Sequence, residues 1–305
     1  MRQIISLAIA LLLLFSCSGA ENETSSAEGS SQADTAALRV AVMPTLDCLP
    51  LFLASERGMF RKAGIDVSLR CYQAQMDCDT ALVSGAVVAL ATDLVRAERL
   101  RRNNVPLSYI TATNASWQLQ SCRTARIKRL SQLDDRMVAM TRYSATDMLT
   151  ALCIDSAKLK DEHVYRIQIN DVGIRLNMLQ TNIIDAAMMP EPQATASRQM
   201  RAYPLADVSE RFGLQLGVVA MRDSAFSVSQ TDAFRRAYNE ACDSLNAKGL
   251  KAYSNIIVKR MGVTQQTVDS LPPITFRHTT PPRPNDVERA KAWLQRKQEA
   301  DEVKR

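Results

Sequence analysis

The sequence predicts an α/β protein of two lobes, each a mainly parallel sheet flanked by helices. Three observations carry this expectation. Short apolar strands alternate with segments of helical apolar spacing from Leu38 onward, the alternation restarts after Leu107, and the part beyond about Leu214 reads as mainly helical. The stretch from Leu38 to Arg305 is long enough for one two-lobed unit or two small domains.

Leu38-Arg39-Val40-Ala41-Val42-Met43 reads as a short buried strand that Pro44 ends. After a loop holding Asp47 and Pro50, the spacing predicts a helix over Leu51 to Phe60 that stops near Gly64, the usual C-terminal signal. Ile65 to Leu69 alternates and forms a second strand. Gln73 to Asp79, rich in short polar side chains, is expected as a loop before a short helix over Thr80 to Val83, closed by Ser84-Gly85. Val87 to Ala91 is the third strand. This β-α-β-α-β order with short connections belongs to a parallel sheet covered by helices.

The second round opens with strands over Leu107 to Ala112 and Met137 to Met140, then an amphipathic helix over Ala145 to Ala157. Tyr165 to Ile169, Ile174 to Leu179, Ile183 to Met188 and Gln193 to Met200 continue the alternation of strand and helix. One more strand is expected over Leu216 to Met221, followed by helices over Thr231 to Ala247, Leu250 to Arg260 and Asp286 to Gln298. No repeat at solenoid spacing is visible. The expected division is residues 38–112 for the first part of lobe 1, 113–213 for lobe 2, and 214–305 for the return to lobe 1 with the C-terminal helices.

The N-terminus reads differently. Arg2 precedes an apolar run from Ile4 to Phe15, a secretory signal pattern too short to span a bilayer as a stable helix, so residues 1–16 are expected to be removed. Leu14-Phe15-Ser16-Cys17 resembles a bacterial lipobox, which implies that Cys17 becomes an acylated, palmitate-bearing N-terminus. Residues 17–37 have no hydrophobic period and too little apolar surface to fold, the composition of a disordered tether. A tether behind an acylated cysteine holds a domain at a membrane of the cell envelope.

Composition narrows the function classes. The chain is 46% hydrophobic and 23% charged, as globular proteins are, and its net charge of +6 falls to +5 once Arg2 leaves with the signal. The 38 basic residues are spread against 32 acidic ones with no dense basic, aromatic-laced patch, so no nucleic-acid partner is expected. Arg96, Arg99, Arg101 and Arg102 form the densest basic cluster, which fits a solvated helix end. Beyond Cys17, six cysteines remain without C-x-x-C spacing, and there are two histidines, His163 and His278, so neither a metal site nor a cofactor is expected. Export permits disulfides, but spacing alone does not choose among the pairings.

Several stretches resemble a known family. Leu38 to Pro44, Leu49-Pro50-Leu51-Phe52-Leu53-Ala54 and Glu56-Arg57-Gly58-Met59-Phe60, continuing through Gly64-Ile65-Asp66-Val67, are similar to the opening of type 2 periplasmic binding proteins of the nitrate, sulfonate and taurine, and pyrimidine-precursor group. Leu130 to Thr146 and Ile183 to Pro192, with its Glu191-Pro192 turn, resemble that family's second lobe. The resemblance spans nearly all of Leu38 to Leu294. It implies a periplasmic-binding-protein-like fold whose lobes are joined by crossing strands near Tyr109 to Thr113 and Phe212 to Val218. It further implies a periplasmic, membrane-anchored monomer that binds a small-molecule solute and delivers it to an ABC permease and its ATPase. Two positions depart from the pattern: Gly85-Ala86-Val87-Val88 lacks the acid of the usual Gly-x-x-Asp, and Pro190 stands where an aromatic residue is common.

The candidate ligand residues lie in strand-end loops, where open α/β sheets bind their ligands. In the first lobe they are Thr45, Asp47, Gln73 and Asp93, and in the second Arg142, Tyr143, Ser144, Thr146 and Glu191. Asp93 and Asp171 also fit as helix N-caps. The Ser/Thr-rich helix start at Ser144 to Thr146 offers free backbone N–H groups, Arg142 a fork of donors and Tyr143 a flat face. Asp47, Asp93 and Glu191 suit a ligand with amine or ring N–H donors, whereas Arg142 suits a carboxylate or sulfonate, so the ligand's charge stays open. No Ser/His/Asp or Cys/His set is recognisable, and no catalytic residue is expected. Two other functions remain compatible: a non-transport ligand sensor or accessory lipoprotein, and an exported dehydratase-like enzyme on the same fold.

Overall fold

The computed structural model describes residues 37–303. The signal segment, the lipidation expectation at Cys17 and the tether up to residue 36 lie outside the described residues. The α/β class holds: two five-stranded sheets are each flanked by helices.

The first sheet starts with β1 (Leu38–Val42), which leads into α1 (Leu49–Glu56) and α2 (Met59–Lys62). The single helix expected here is two, because Gly58 sits at φ +66 and turns the chain between them. Next come β2 (Val67–Cys71), α3 (Gln75–Val83), β3 (Ala89–Asp93), α4 (Leu94–Arg102) and β4 (Leu107–Ala112). Most of the segment expected as a loop, from Gln73 to Asp79, is in fact the first turn and more of α3, so its polar residues occupy a helix start rather than a free loop.

The second sheet comprises β5 (Trp117–Ser121), β6 (Arg136–Met140), β7 (Val164–Gln168), β8 (Ala186–Pro190) and β9 (Tyr203–Asp207). Its helices are α5 (Ala145–Ser156), α6 (Val172–Gln180), α7 (Gln193–Gln199) and α8 (Val208–Arg211). The chain then returns through β10 (Gly217–Arg222) to α9 (Val228–Lys248), α10 (Ser254–Met261), α11 (Gln265–Asp269) and α12 (Pro284–Val303).

The two sheets share one plan. Their strand orders are β2-β1-β3-β10-β4 and β7-β6-β8-β5-β9. In each, the fourth strand is antiparallel to both neighbours and the other four run in one direction. These odd strands, β10 and β5, are the ones that follow a crossing between sheets. At the crossing Thr113 N–H donates to Gly217 C=O (2.9 Å). A Cβ on Gly217 would fall on Ala115 Cβ and Thr113 Oγ1, so only glycine lets the two segments pass this closely.

The core of the first lobe is aromatic as well as aliphatic. Phe60 and Phe226 pack on Phe234 of α9 at ring-centroid distances of 5.2 and 5.8 Å, which locks α9 onto α1 and α2. All six described cysteines are free, and five of them are buried.

Candidate functional site

Loops at the C-terminal ends of the parallel strands meet in pairs. After β1, Leu46 N–H donates to Glu191 C=O just past β8 (2.8 Å), and Gln193 Nε2 donates to Pro44 C=O (2.8 Å). After β2, Val172 N–H reaches Gln73 C=O (3.4 Å), and Ala74 pairs with Asp171 beyond β7. After β3, the carboxylate of Asp93 accepts from Ala145 N–H beyond β6 (3.0 Å). The lobes are therefore joined at three strand-end pairs, and a cavity lies among them.

This cavity has about 600 Å³ of empty space, part of it continuous with solvent. Lobe 1 lines it with Thr45, Asp47, Gln75, Thr92 and Asp93, and lobe 2 with Thr141, Ser144, Thr146, Asn170 and Arg175. Ala115 of the crossing and Trp117, the first residue of β5, close one wall.

Asp93 is the last residue of β3 and the N-cap of α4. Its Oδ1 accepts both from Arg96 N–H in its own helix (3.0 Å) and from Ala145 N–H at the start of α5 (3.0 Å). One carboxylate thus terminates two helices, one per lobe, at their positive dipole ends. Burial raises its pKa to about 6, against the pull of the nearby Arg96 guanidinium and these two N–H groups. Arg96 itself is 2% exposed and pairs with Asp79. Two acids therefore share one buried cation behind the cavity wall.

Asp47 is half-buried, open to the cavity on one side and enclosed by protein on the others. Its Oδ2 accepts from Thr113 Oγ1 at the crossing (3.1 Å). Burial raises its pKa, and the hydroxyl bonds offset this only in part.

Ser144 is the N-cap of α5: its Oγ accepts from Thr146 N–H (3.1 Å) and donates to Thr141 C=O (2.7 Å). Thr146 Oγ1 accepts from Thr141 N–H (2.9 Å). The expected anion-ready helix start is therefore largely answered from within the chain, by Ser144, Thr146 and Asp93.

Four of the nine sequence candidates lie elsewhere. Arg142 is exposed and lines a separate polar hollow with Asp147, Arg166 and Asp301. Tyr143, at φ +53, points away from the cavity: its hydroxyl donates to Asp301 of α12 (2.6 Å) and Arg99 stacks 4.7 Å from its ring centre. Glu191 is held by Arg198 Nη2, Gln118 Nε2 and Thr195 N–H, each at 3.0 Å, and lines a smaller neighbouring hollow that it shares with Asp47. Gln73 contributes its carbonyl to the lobe contact, and its side chain is not part of the cavity lining; Gln75 lines the cavity instead.

The cavity's arginine is Arg175, a residue sequence reasoning passed over. It is 2% exposed and donates to Ile169 C=O from Nε (3.1 Å) and Nη2 (2.7 Å), to Met188 C=O (2.7 Å) and to Thr141 Oγ1 (2.8 Å). It clamps the ends of β6, β7 and β8, and burial lowers its pKa to about 10. The one signal for it was its place one turn after Asp171 in a helix that follows a strand. Trp117 was missed because β5 itself was.

No protein-family model matches the chain, and no curated protein matches it. Solved structures do. The ligand-binding component of an ABC-type import system from Staphylococcus aureus, with zinc bound, aligns with a TM-score of 0.71 at 13% identity, covering 86% of this chain and 92% of that one. The periplasmic aliphatic sulphonate binding protein SsuA of Escherichia coli gives 0.71 at 16% identity over 88% and 89% of the two chains. The periplasmic nitrate-binding protein NrtA of Synechocystis gives 0.69 at 14% identity over 79% and 74%. At these identities the likeness shows the fold: the chain has the two-lobed periplasmic-binding-protein fold.

Proposed function

We propose that the chain is the solute-binding component of an ABC importer, which captures a small organic solute between its lobes and hands it to a membrane permease driven by an ATPase. The observation that carries this reading is the cavity at the three paired strand ends, lined by polar side chains of both lobes. The neighbours named for import systems support it. On this reading lobe 1 comprises residues 38–112 and 214–305, lobe 2 comprises 113–213, and Thr45, Asp47, Asp93, Ser144 and Thr146 contact the solute.

The chain contains two tryptophans, Trp117 at the cavity and Trp293 in α12, so the variant Trp293→Phe isolates the cavity signal. A screen of small sulfonates, carboxylates, amines and amino-pyrimidines should find a solute that shifts Trp117 fluorescence and raises the melting temperature. A full screen that moves neither would count against solute capture.

We read the protein as a binder without turnover. The one thiol lining the cavity, Cys48, is pushed well above its ordinary pKa by burial, so it stays protonated and weakly nucleophilic. His163 and His278 sit on the surface, paired with Asp134 and Asp243. A bound solute should be recovered chemically unchanged by mass spectrometry; its conversion would point to an enzyme. The anchor reading rests on the sequence around Cys17. Cys17→Ser should release the protein from membranes on fractionation, and persistent membrane association would remove that part of the proposal.

A further inference from the structure

We infer that the solute is a small organic ammonium, and that Asp47 and Asp93 receive its charge. This rests on the interlobe reading above and adds the chemical class of the ligand.

The charges around the cavity divide into those already answered and those left open. Arg175 spends four N–H donations on Ile169, Met188 and Thr141, so its guanidinium is a clamp on strand ends with little left for a ligand. Glu191 is neutralised by Arg198. Arg96 lies behind the wall and pairs with Asp79.

The two carboxylates of the lining differ from these. Asp93 uses Oδ1 for both of its hydrogen bonds, and its Oδ2 has no protein partner among the described residues. Asp47 accepts from Thr113 at Oδ2, with the Thr45 hydroxyl also beside its carboxylate, and it has no cationic partner among the described residues. Neither carboxylate forms an ion pair with a side chain among the described residues. Asp93 has only a share of Arg96, which is already paired with Asp79; a desolvated carboxylate so weakly compensated is unfavourable, and a ligand cation offsets that cost where an anion would add to it. The seat an anion would take, the N-terminus of α5, is filled by Asp93 itself. Trp117 lines the same cavity, and an aromatic ring there is a further partner a cation can use.

The test is a fluorescence titration of Trp117 in the full chain carrying Trp293→Phe, with ethanolamine, choline and putrescine as cationic probes and ethanesulfonate and nitrate as anionic ones. At least one ammonium probe should bind and the anions should not. Asp47→Asn and Asp93→Asn should each weaken that binding by about tenfold or more, the loss expected for a buried charged contact. Asn keeps an oxygen for the bonds from Arg96, Ala145 and Thr113, and a thermal melt checks that each variant is folded. Binding of ethanesulfonate or nitrate in place of the amines would overturn the inference and leave solute capture standing. Ammonium binding that survives both substitutions would also overturn it. Silence from every probe would count against the inference and the interlobe reading together.

Discussion

Asp93 shows how one side chain carries two roles that sequence reasoning treats as rivals. It reads as an N-cap and as a cleft residue, and it is both: Oδ1 caps α4 and also the partner helix α5, while the residue lines the cavity. Its neighbours in charge are Arg96 of α4 and Asp79 of α3, with Ala145 N–H facing it from α5. Because burial raises its folded pKa to about 6 from an ordinary 3.8, the folded state binds more protons than the unfolded state between those values. Its stabilising contribution is therefore full below the lower value and is lost as pH rises toward the upper one. Asp47, also raised, adds to the same trend. Thermal melts between about pH 4 and 6 should show a shallower pH dependence in Asp93→Asn than in the parent, and unchanged slopes would refute this assignment. Arg175→Gln should cost roughly 3 kcal/mol or more in denaturant unfolding, since it strips donors from the ends of three strands. A loss under about 1 kcal/mol would show that the clamp is dispensable.

At the scale of elements, most strands were legible, and β5 and β9 were not. β3 and β8 are buried throughout and β1 and β6 over their last three residues, and the apolar pattern alone locates all four within two or three residues. β5 was invisible because Trp117-Gln118-Leu119-Gln120-Ser121 puts glutamines where a strand core is expected to be apolar. Those glutamines form a chain, with Gln120 Nε2 donating to Gln118 Oε1 (2.9 Å) and Gln118 Nε2 to Glu191 (3.0 Å), and no local pattern announces such a long-range network. β9 escaped notice because Tyr203 to Asp207 alternates weakly and contains Pro204, which suits an edge strand. The crossing yields a prediction at this scale. Gly217→Ala should destabilise by about 1–3 kcal/mol through overpacking on Thr113 and Ala115, and should also disturb the bond from Thr113 to Asp47. Unchanged stability would show that the segments part easily. The Tyr143 hydroxyl bond to Asp301 ties α12 to the start of α5, so Tyr143→Phe should cost about 1 kcal/mol in thermal unfolding and leave solute affinity unchanged, because this contact lies outside the cavity.

For the whole molecule, the two-lobed plan was legible because both lobes repeat the same order of strand and helix. The site was legible only in part. Sequence marks strand ends, and so it found Thr45, Asp47, Asp93, Ser144 and Thr146 at the cavity, but it does not give the direction in which a loop side chain leaves the backbone. Tyr143 turns outward through a positive φ, and Arg142 beside it is exposed, while Arg175 enters from a helix whose pattern looks like any other. The paired strand ends also define a closed arrangement, held by the bonds from Leu46, Gln193, Val172 and Ala145. A solute that touches both lobes gains its full contacts only in this form and so must shift the population toward it. Lys62 and Ile183 are exposed and lie at the ends of their lobes away from the cavity, before β2 and β8. The most direct measurement is the distance distribution between spin labels at these two positions, without solute and with the solute that shifts Trp117 fluorescence. Solute capture between the lobes predicts a longer or broader distribution that collapses to one short distance on binding, whereas saturating solute with an unchanged distribution would contradict it.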